Sequence, residues 1–319
     1  MISIIVPNYN KSNYILKTLQ SIENQNYKNW ECIVIDDNSN DNSIELIKGF
    51  IESNSRFKFI INNKNYGASY SRNLGINCSK GEYIIFLDAD DIISSDCFSN
   101  RIKKISANMV LDFAVFPMGT FYEKIGDCKN IWNKFKGNHL YRFLSHDLPW
   151  GICSVIWRKE SLLKLGGFNE DFLRLQDVEL HTRALINSYK YSTFPNYDSD
   201  CFYRINRNRI KDYTKHCLNV INGKIFFITF FNFKLKNKIK FNHLKGTYFE
   251  CYCYVFNLYH INRISKSDLL ILLSKIDSRN FQNIFNYFSQ IIINLYSYLR
   301  INKIYFRGLD RVFKFLYMI

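Results

Sequence analysis

The segment EYIIFLDADD, residues 82–91, carries the densest candidate chemistry in the chain. A run of Tyr, Ile, Ile, Phe and Leu suits a buried strand, yet it ends in Asp88, Asp90 and Asp91. Carboxylates this close repel one another, and near a sheet core they require a positive partner. A divalent cation such as Mg²⁺ or Mn²⁺ is one such partner. It takes hard oxygen ligands and is commonly held by one or two carboxylates plus substrate phosphates. On extended chain, residues i and i+2 point the same way, so Asp88 and Asp90 are expected to share one site. Acidic triplets also occur in solvated turns and helix caps, and the residues alone leave that reading open. Two further acidic positions stand out, Asp36-Asp37 in IDDNS and Asp177 in QDVEL.

The elements needed to gather these groups are legible in the first 110 residues. Short β-rich runs at 2–9, 31–37, 57–62 and 82–88 alternate with segments of helical spacing at 11–25, 40–53 and 67–79. Ser12 is a plausible N-cap for the first helix, and Asp41 or Ser43 for the second. The βαβαβαβ order implies an α/β fold, a mostly parallel sheet with helices on both faces. Ligands of such sheets bind beyond the carboxyl ends of the strands. That edge would gather Pro7-Asn8-Tyr9-Asn10, Asp36-Asp37-Asn38-Ser39 and Asp88-Ala89-Asp90-Asp91 into one anionic pocket. Further on, 109–122 reads as another strand and 123–146 as polar and irregular. Residues 150–168 read as a strand and short helix ending in Gly166-Gly167, 176–188 as a helix, and 190–208 as extended. Beyond 210 the pattern is helical, so the expected organisation is a domain at 1–210 and a basic, aromatic-rich helical region at 211–319.

At 319 residues, 47% hydrophobic and 17% aromatic, the chain can bury a substantial core. Its nine cysteines form no CxxC pair, and MISIIVPNYN lacks a signal-peptide pattern, so a reduced, cytosolic protein is expected. No apolar run is long enough to span a bilayer. The net charge of +15 is unevenly placed: residues 1–200 hold 23 basic and 23 acidic residues, and 201–319 hold 20 and 5. The excess points either to a basic soluble surface or to an anionic partner.

Taken in order, VPNYN, IDDNS, N-x-G-x-x-x-x-R-N, GEYIIFLDADD and GGF…QDVEL resemble the family 2 glycosyltransferases over roughly residues 1–205. The resemblance implies the GT-A fold and an inverting transfer from a nucleotide-sugar with Mn²⁺ or Mg²⁺. Carried onto this sequence, it implies that Pro7 to Tyr9 line the base and ribose. Asp37 would accept from a uracil ring N–H, favouring a UDP-sugar. Arg72 would lie near the diphosphate or order the acidic strand end, Asp88 would face the ribose or metal, and Asp90 would ligate the metal. Asp177 matches the family's general base, while Gln176 stands where an acid is usual. Asp147 and Trp150 would form the acceptor side, with Trp150 stacking on a sugar. Arg204 and Arg207 would contact the diphosphate. His181 reads as structural.

Near the end of the chain, Arg300, Lys303, Arg307, Arg311 and Lys314 recur at helical spacing, with apolar residues between them. Such a helix can lie on an anionic membrane surface, which would suit a peripheral enzyme on the inner face of the cell membrane. Its acceptor would be a polyprenyl-diphosphate-linked saccharide of O-antigen or capsule assembly. The alternative is a basic membrane- or RNA-binding module with an inert acidic pocket. The intact acidic constellation argues against it, and no nucleic-acid partner is expected. A nucleotidyltransferase would need a Gly-rich, basic loop after the first strand, which VPNYNKSNY lacks.

Overall fold

The computed structural model describes residues 1–52, 54–132, 135–206, 211–235, 238–277, 287–302, 304–305 and 308–318. Its first half runs β1 (Ile2–Asn8), α1 (Ile15–Glu23), β2 (Trp30–Asp36), α2 (Ser43–Ile51), β3 (Phe57–Ile61), α3 (Ala68–Cys78) and β4 (Tyr83–Phe86). Then come β5 (Ile92–Ile93), α4 (Cys97–Ser106), β6 (Phe113–Val115), β7 (Met118–Phe121), β8 (Ile131–Trp132) and α5 (His139–Leu144). They are followed by β9 (Val155–Arg158), α6 (Lys159–Leu165), α7 (Gln176–Ile186), β10 (Tyr191–Thr193) and β11 (Cys201–Arg204). The remainder is helical: α8 (Tyr213–Lys234), α9 (Lys238–His260), α10 (Lys266–Asp277), α11 (Tyr287–Ile301) and α12 (Leu309–Met318). The chain divides into two compact units, residues 1–137 with 148–206, and residues 138–147 with 207–319.

In the first unit the main sheet has the order β10-β6-β9-β4-β1-β2-β3. Its pairs are parallel except around β9, which runs antiparallel to β4 and β6. Strands buried on both faces must be apolar throughout. Ile2, Ile4, Ile5 and Val6 of β1, Cys32 to Ile35 of β2 and Ile84 to Phe86 of β4 are accordingly fully buried. The chain order turns around at β1, with β2 and β3 on one side and β4 on the other, which is where open α/β sheets bind ligands. Pro7 would break a central ladder, but β4 pairs only with Ile2 to Ile5. Pro7 therefore lies beyond the end of β4 and costs no ladder bond on that side. A smaller sheet, β5-β11-β7-β8, lies in the same unit.

Three expectations change. First, β4 ends at Phe86, and Asp88 to Asp91 form a turn closed by a hydrogen bond from the Asp91 N–H to the Asp88 carbonyl at 3.0 Å. The i, i+2 argument for a shared face therefore does not apply. Second, the 109–122 strand splits around Pro117, so β6 joins the main sheet and β7 the smaller one. The polar 123–146 stretch contains β8 and α5, the latter capped by Asn138 accepting from the Tyr141 N–H at 3.1 Å. Third, the basic stripe of 300–314 is not one helical face. The helix breaks between α11 and α12, with Gly308 at φ +94°. Arg300 is buried and donates to Asn257 at 2.6 Å and to Asp310 at 3.3 Å. Lys314 donates to the Ser145 carbonyl at 2.7 Å and to Glu250 at 2.6 Å. Arg311 is exposed, and Lys303 and Arg307 lie outside the described residues. Among the described residues, no helix is long and apolar enough to cross a membrane. All nine cysteines are free thiols.

Candidate active site

The loops after β1 and β2 interlock through short polar side chains. Asn8 donates to Asp36 at 2.6 Å, and Asp36 also accepts from the Ser39 N–H and hydroxyl, both at 2.7 Å. The Asn10 N–H donates to the Ser39 hydroxyl at 2.9 Å, and the Asn40 N–H to the Asn10 side-chain oxygen at 2.8 Å. Asn10 and Asn38 adopt left-handed backbone at φ +52° and +62°, which asparagine tolerates better than most residues. Asp37, the second acid of IDDNS, is buried on the other side of the loop. One of its oxygens accepts from Asn62 at 2.8 Å and from the Tyr66 N–H at 2.9 Å, and the other from the Gly67 N–H at 2.7 Å. A carboxylate offers about four acceptor sites, and these three bonds use three of them. Tyr9 is 42% exposed beside this loop and Pro7 is half-buried.

At the end of β4, Asp88 and Asp90 each meet a different cation, and Asp91 meets a backbone N–H. Arg72 on α3 donates to Asp88 at 2.7 Å, and Lys11 pairs with Asp90. Asp91 is buried and accepts from the Arg204 N–H at 2.9 Å, and burial pushes its carboxyl well above the usual range. The turn is pinned further by Thr18, whose hydroxyl bonds the carbonyls of Ala89 at 3.0 Å and Asp91 at 2.8 Å. Asp88 and Asp90 keep 35% and 14% of their side chains open to solvent. Two partly open carboxylates are a hard-oxygen donor set that fits Mg²⁺ or Mn²⁺ when substrate phosphates complete the shell. Among the described residues, no group of three or more His, Cys, Asp or Glu could hold a metal on its own.

Arg72 also joins the acidic turn to the second acidic element. Its other terminal nitrogen donates to the Gln176 side-chain oxygen at 2.9 Å, and the guanidinium packs over Phe168 at 5.3 Å. The amide oxygen of Gln176 thus accepts where an acid is usual. Asp177 follows in the first turn of α7, behind Leu175 at φ +60°. Burial raises its carboxyl pKa, Arg72 opposes that, and Asp88 adds to it.

Several site-building residues gave no sequence signal beyond the motifs they sit in. Asn73 clamps the GGF loop: it accepts from the Phe168 N–H at 2.8 Å and donates to the Phe168 carbonyl at 2.9 Å. Arg183, one turn after Glu179, takes both Glu179 oxygens at 2.7 and 2.9 Å and reaches the Gly167 carbonyl at 2.6 Å. Buried Arg101 holds Asp200 in a two-point ion pair. The i, i+4 spacing of Glu179 and Arg183 was the one readable cue.

The expectations for Trp150 and Arg204 need correction. Trp150 is 1% exposed, packed among Phe113, Phe135, Tyr191 and His181, and has no open face for a sugar. Asp147 belongs to the second unit and accepts from Arg142 at 2.8 Å. Arg204 is 4% exposed and committed to the carbonyls of Asp90 and Tyr122, both at 2.9 Å, so it orders the acidic turn and offers a diphosphate almost no surface. Arg207 lies outside the described residues. His181 is fully buried, stacked on Trp157 at 6.0 Å, and burial lowers its pKa to about 3, so it stays neutral.

The sequence pattern of "Glycosyl transferase family 2" matches residues 3–165, which include the interlocked loops, Arg72 and the acidic turn. The chain belongs to family 2 of the glycosyltransferases. A relative is the GalNAc(5)-diNAcBac-PP-undecaprenol beta-1,3-glucosyltransferase of Campylobacter jejuni, 30% identical over 215 residues, which are 65% of each chain. Two solved structures share the fold. Staphylococcus aureus TarS 1–349 in complex with UDP-GlcNAc has a TM-score of 0.65 at 17% identity, covering 99% of this chain and 89% of that one. The mannosyltransferase PcManGT from Pyrobaculum calidifontis, in complex with GDP-Man and Mn²⁺, has a TM-score of 0.58 at 16% identity, covering 99% and 84%. The protein is thus a family 2 glycosyltransferase of GT-A fold, and transfer from a nucleotide-sugar donor is the activity that membership carries.

Proposed function

We propose that the protein transfers a hexose or N-acetylhexosamine from a UDP-sugar, with inversion, to a saccharide carried on a polyprenyl diphosphate. The observation that carries this reading is the bridge made by Arg72. Its guanidinium bonds Asp88 and Gln176, the residue before Asp177, and its charge acts on the Asp177 carboxyl, which supports donor and base sides that adjoin. Asp37 and the Pro7–Tyr9 segment hold the uracil and ribose. The fourth acceptor position of Asp37 suits the uracil N–H, which supports UDP over GDP. Asp88 and Asp90 would hold Mn²⁺ or Mg²⁺. When bound, the ion neutralises charge building on the leaving diphosphate. Asp177 takes the proton of the acceptor hydroxyl as the oxygen attacks the anomeric carbon. Its place in the first turn of α7 opposes, in part, the burial that raises its pKa, and fixes its direction.

A lipid-linked acceptor is supported by the Campylobacter relative, whose name specifies an undecaprenol-diphosphate glycan. Catalysis on such a substrate suits a protein attached peripherally to the inner face of the membrane, in surface-polysaccharide assembly. The basic residues of 201–319 favour an anionic surface.

Calorimetric titration with UDP and GDP, with Mn²⁺ and then EDTA, tests the donor side. UDP is expected to bind selectively and only with metal, and Asp90→Ala is expected to abolish the metal-dependent part. Selective binding of GDP would reject the role given to Asp37. Unchanged Mn²⁺-dependent UDP affinity in Asp90→Ala would reject the metal assignment.

A further inference from the structure

The two cations at the acidic turn differ in kind. Arg72 is buried and cannot leave easily: it bonds Asp88 and Gln176 and is stacked on Phe168. Lys11 is partly exposed, and among the described residues its ammonium makes a single polar contact, the ion pair with Asp90. Its backbone is fixed, with the Lys11 N–H donating to the Ser43 hydroxyl at 3.1 Å. A four-carbon stem on an anchored backbone, ending in one ion pair, is a movable charge.

We propose that Lys11 is a positioning residue that occupies the cation position at Asp90 and is displaced when metal and diphosphate arrive together. This rests on the reading of Asp88 and Asp90 as metal ligands. An ammonium and a divalent ion cannot share the same carboxylate oxygen without strong repulsion. A divalent ion entering alone therefore faces both Lys11 and Arg72 with no added anion. Entering with a diphosphate, it brings the negative charge that lets the ammonium leave Asp90. Lys11 thereby couples the two ligands: metal alone binds weakly, and nucleotide raises its affinity. By linkage, metal raises nucleotide affinity by the same factor. In the absence of both, the ion pair balances the charge of Asp90.

The test is titration of Mn²⁺, with free ion read by electron paramagnetic resonance, with and without UDP. The parent is compared with Lys11→Met and Lys11→Arg, each checked for folding by circular dichroism. Without nucleotide, Lys11→Met is expected to bind Mn²⁺ roughly three- to fivefold more tightly, the range of a partly exposed ion pair. The factor by which UDP raises Mn²⁺ affinity is expected to shrink correspondingly. Lys11→Arg keeps the competing charge and is expected to stay near the parent. Folded Lys11→Met with unchanged or weaker Mn²⁺ affinity would overturn the proposal while leaving the metal site standing, provided the parent binds Mn²⁺ with UDP. A parent that binds no Mn²⁺ even with UDP would overturn both.

Discussion

Asp177 is pulled in two directions, and its behaviour with pH follows. Burial and the nearby Asp88 raise its pKa, and Arg72 lowers it only in part. A base must be ionised to accept a proton, so the acid limb of kcat/KM is expected at a pH above the ordinary aspartate value of about 3.9. The same shift acts on stability. Between the ordinary and the raised value the folded chain binds the proton more tightly than the unfolded chain. The carboxylate's contribution to stability therefore falls as pH rises through that window, and above it remains a constant penalty. Asp177→Asn is thus expected to keep UDP binding, to lose turnover by about 10² to 10⁴, and to melt no lower than the parent at neutral pH. Near-normal turnover would exclude Asp177 as the base, and a clear loss of thermal stability would show that its charge serves packing. At this scale the acidic positions were readable through the linked motifs around them, since an acidic triplet alone also fits a solvated turn or a helix cap. Their partners were not. Nothing in the sequence says that Asp90 meets Lys11, 79 positions away, or that Trp150 faces inward rather than toward a sugar.

Elements connect these residues, and the loop after α6 shows how. Gly166 and Gly167 both adopt left-handed backbone, at φ +87° and +64°. A Cβ on Gly167 would lie 2.6 Å from the Asn73 side-chain oxygen. Asn73 follows Arg72 on α3, so the glycine turn is held by the same helix that carries the bridging arginine. Gly167→Ala is expected to cost about 1–3 kcal/mol through backbone strain and to push Asn73 from the loop. Turnover should fall more than UDP affinity, since the loop leads to Asp177 while the loops proposed to hold the nucleotide follow β1 and β2. Equal losses in both, measured by single-turnover kinetics and calorimetry, would refute that separation. Alternation of apolar runs and helical spacing made the β1-to-β4 order legible, since parallel strands buried on both faces leave a strong pattern. Short elements such as β8 and α5 escaped, because a few residues do not build a period. The acidic turn was misread as extended chain for a related reason: the apolar run says where β4 lies, but the hydrogen bond that ends it leaves no mark in composition.

On the scale of the whole molecule, the charge asymmetry was visible by counting, but its use was not. The expected basic stripe dissolves because Arg300 and Lys314 turn inward to Asp310, Asn257 and Glu250. Beside the polar Asn294 and Arg311, α11 and α12 leave apolar side chains exposed: Ile291, Leu295 and Tyr298 at helical spacing, and Val312 and Phe315. Apolar side chains on a strongly basic unit fit an anionic bilayer, where the charges act over a Debye length and the apolar groups enter the interface. Charge alone would give binding that salt abolishes, and apolar contact alone would give binding blind to headgroup. The two together predict attachment to vesicles containing phosphatidylglycerol that weakens with salt and is lost on neutral vesicles. Replacing Leu295 and Phe315 with serine is expected to lower vesicle affinity by roughly tenfold or more, from about 1.5–3 kcal/mol for each such side chain when fully buried. Both positions are about half or more exposed, so the fold should survive, and UDP binding serves as the control. Flotation assays across salt and lipid composition measure the effect. If the serine variant floats like the parent and instead dissociates an oligomer in sedimentation, the apolar face is a contact between copies of the chain, and the membrane must be reached by another surface.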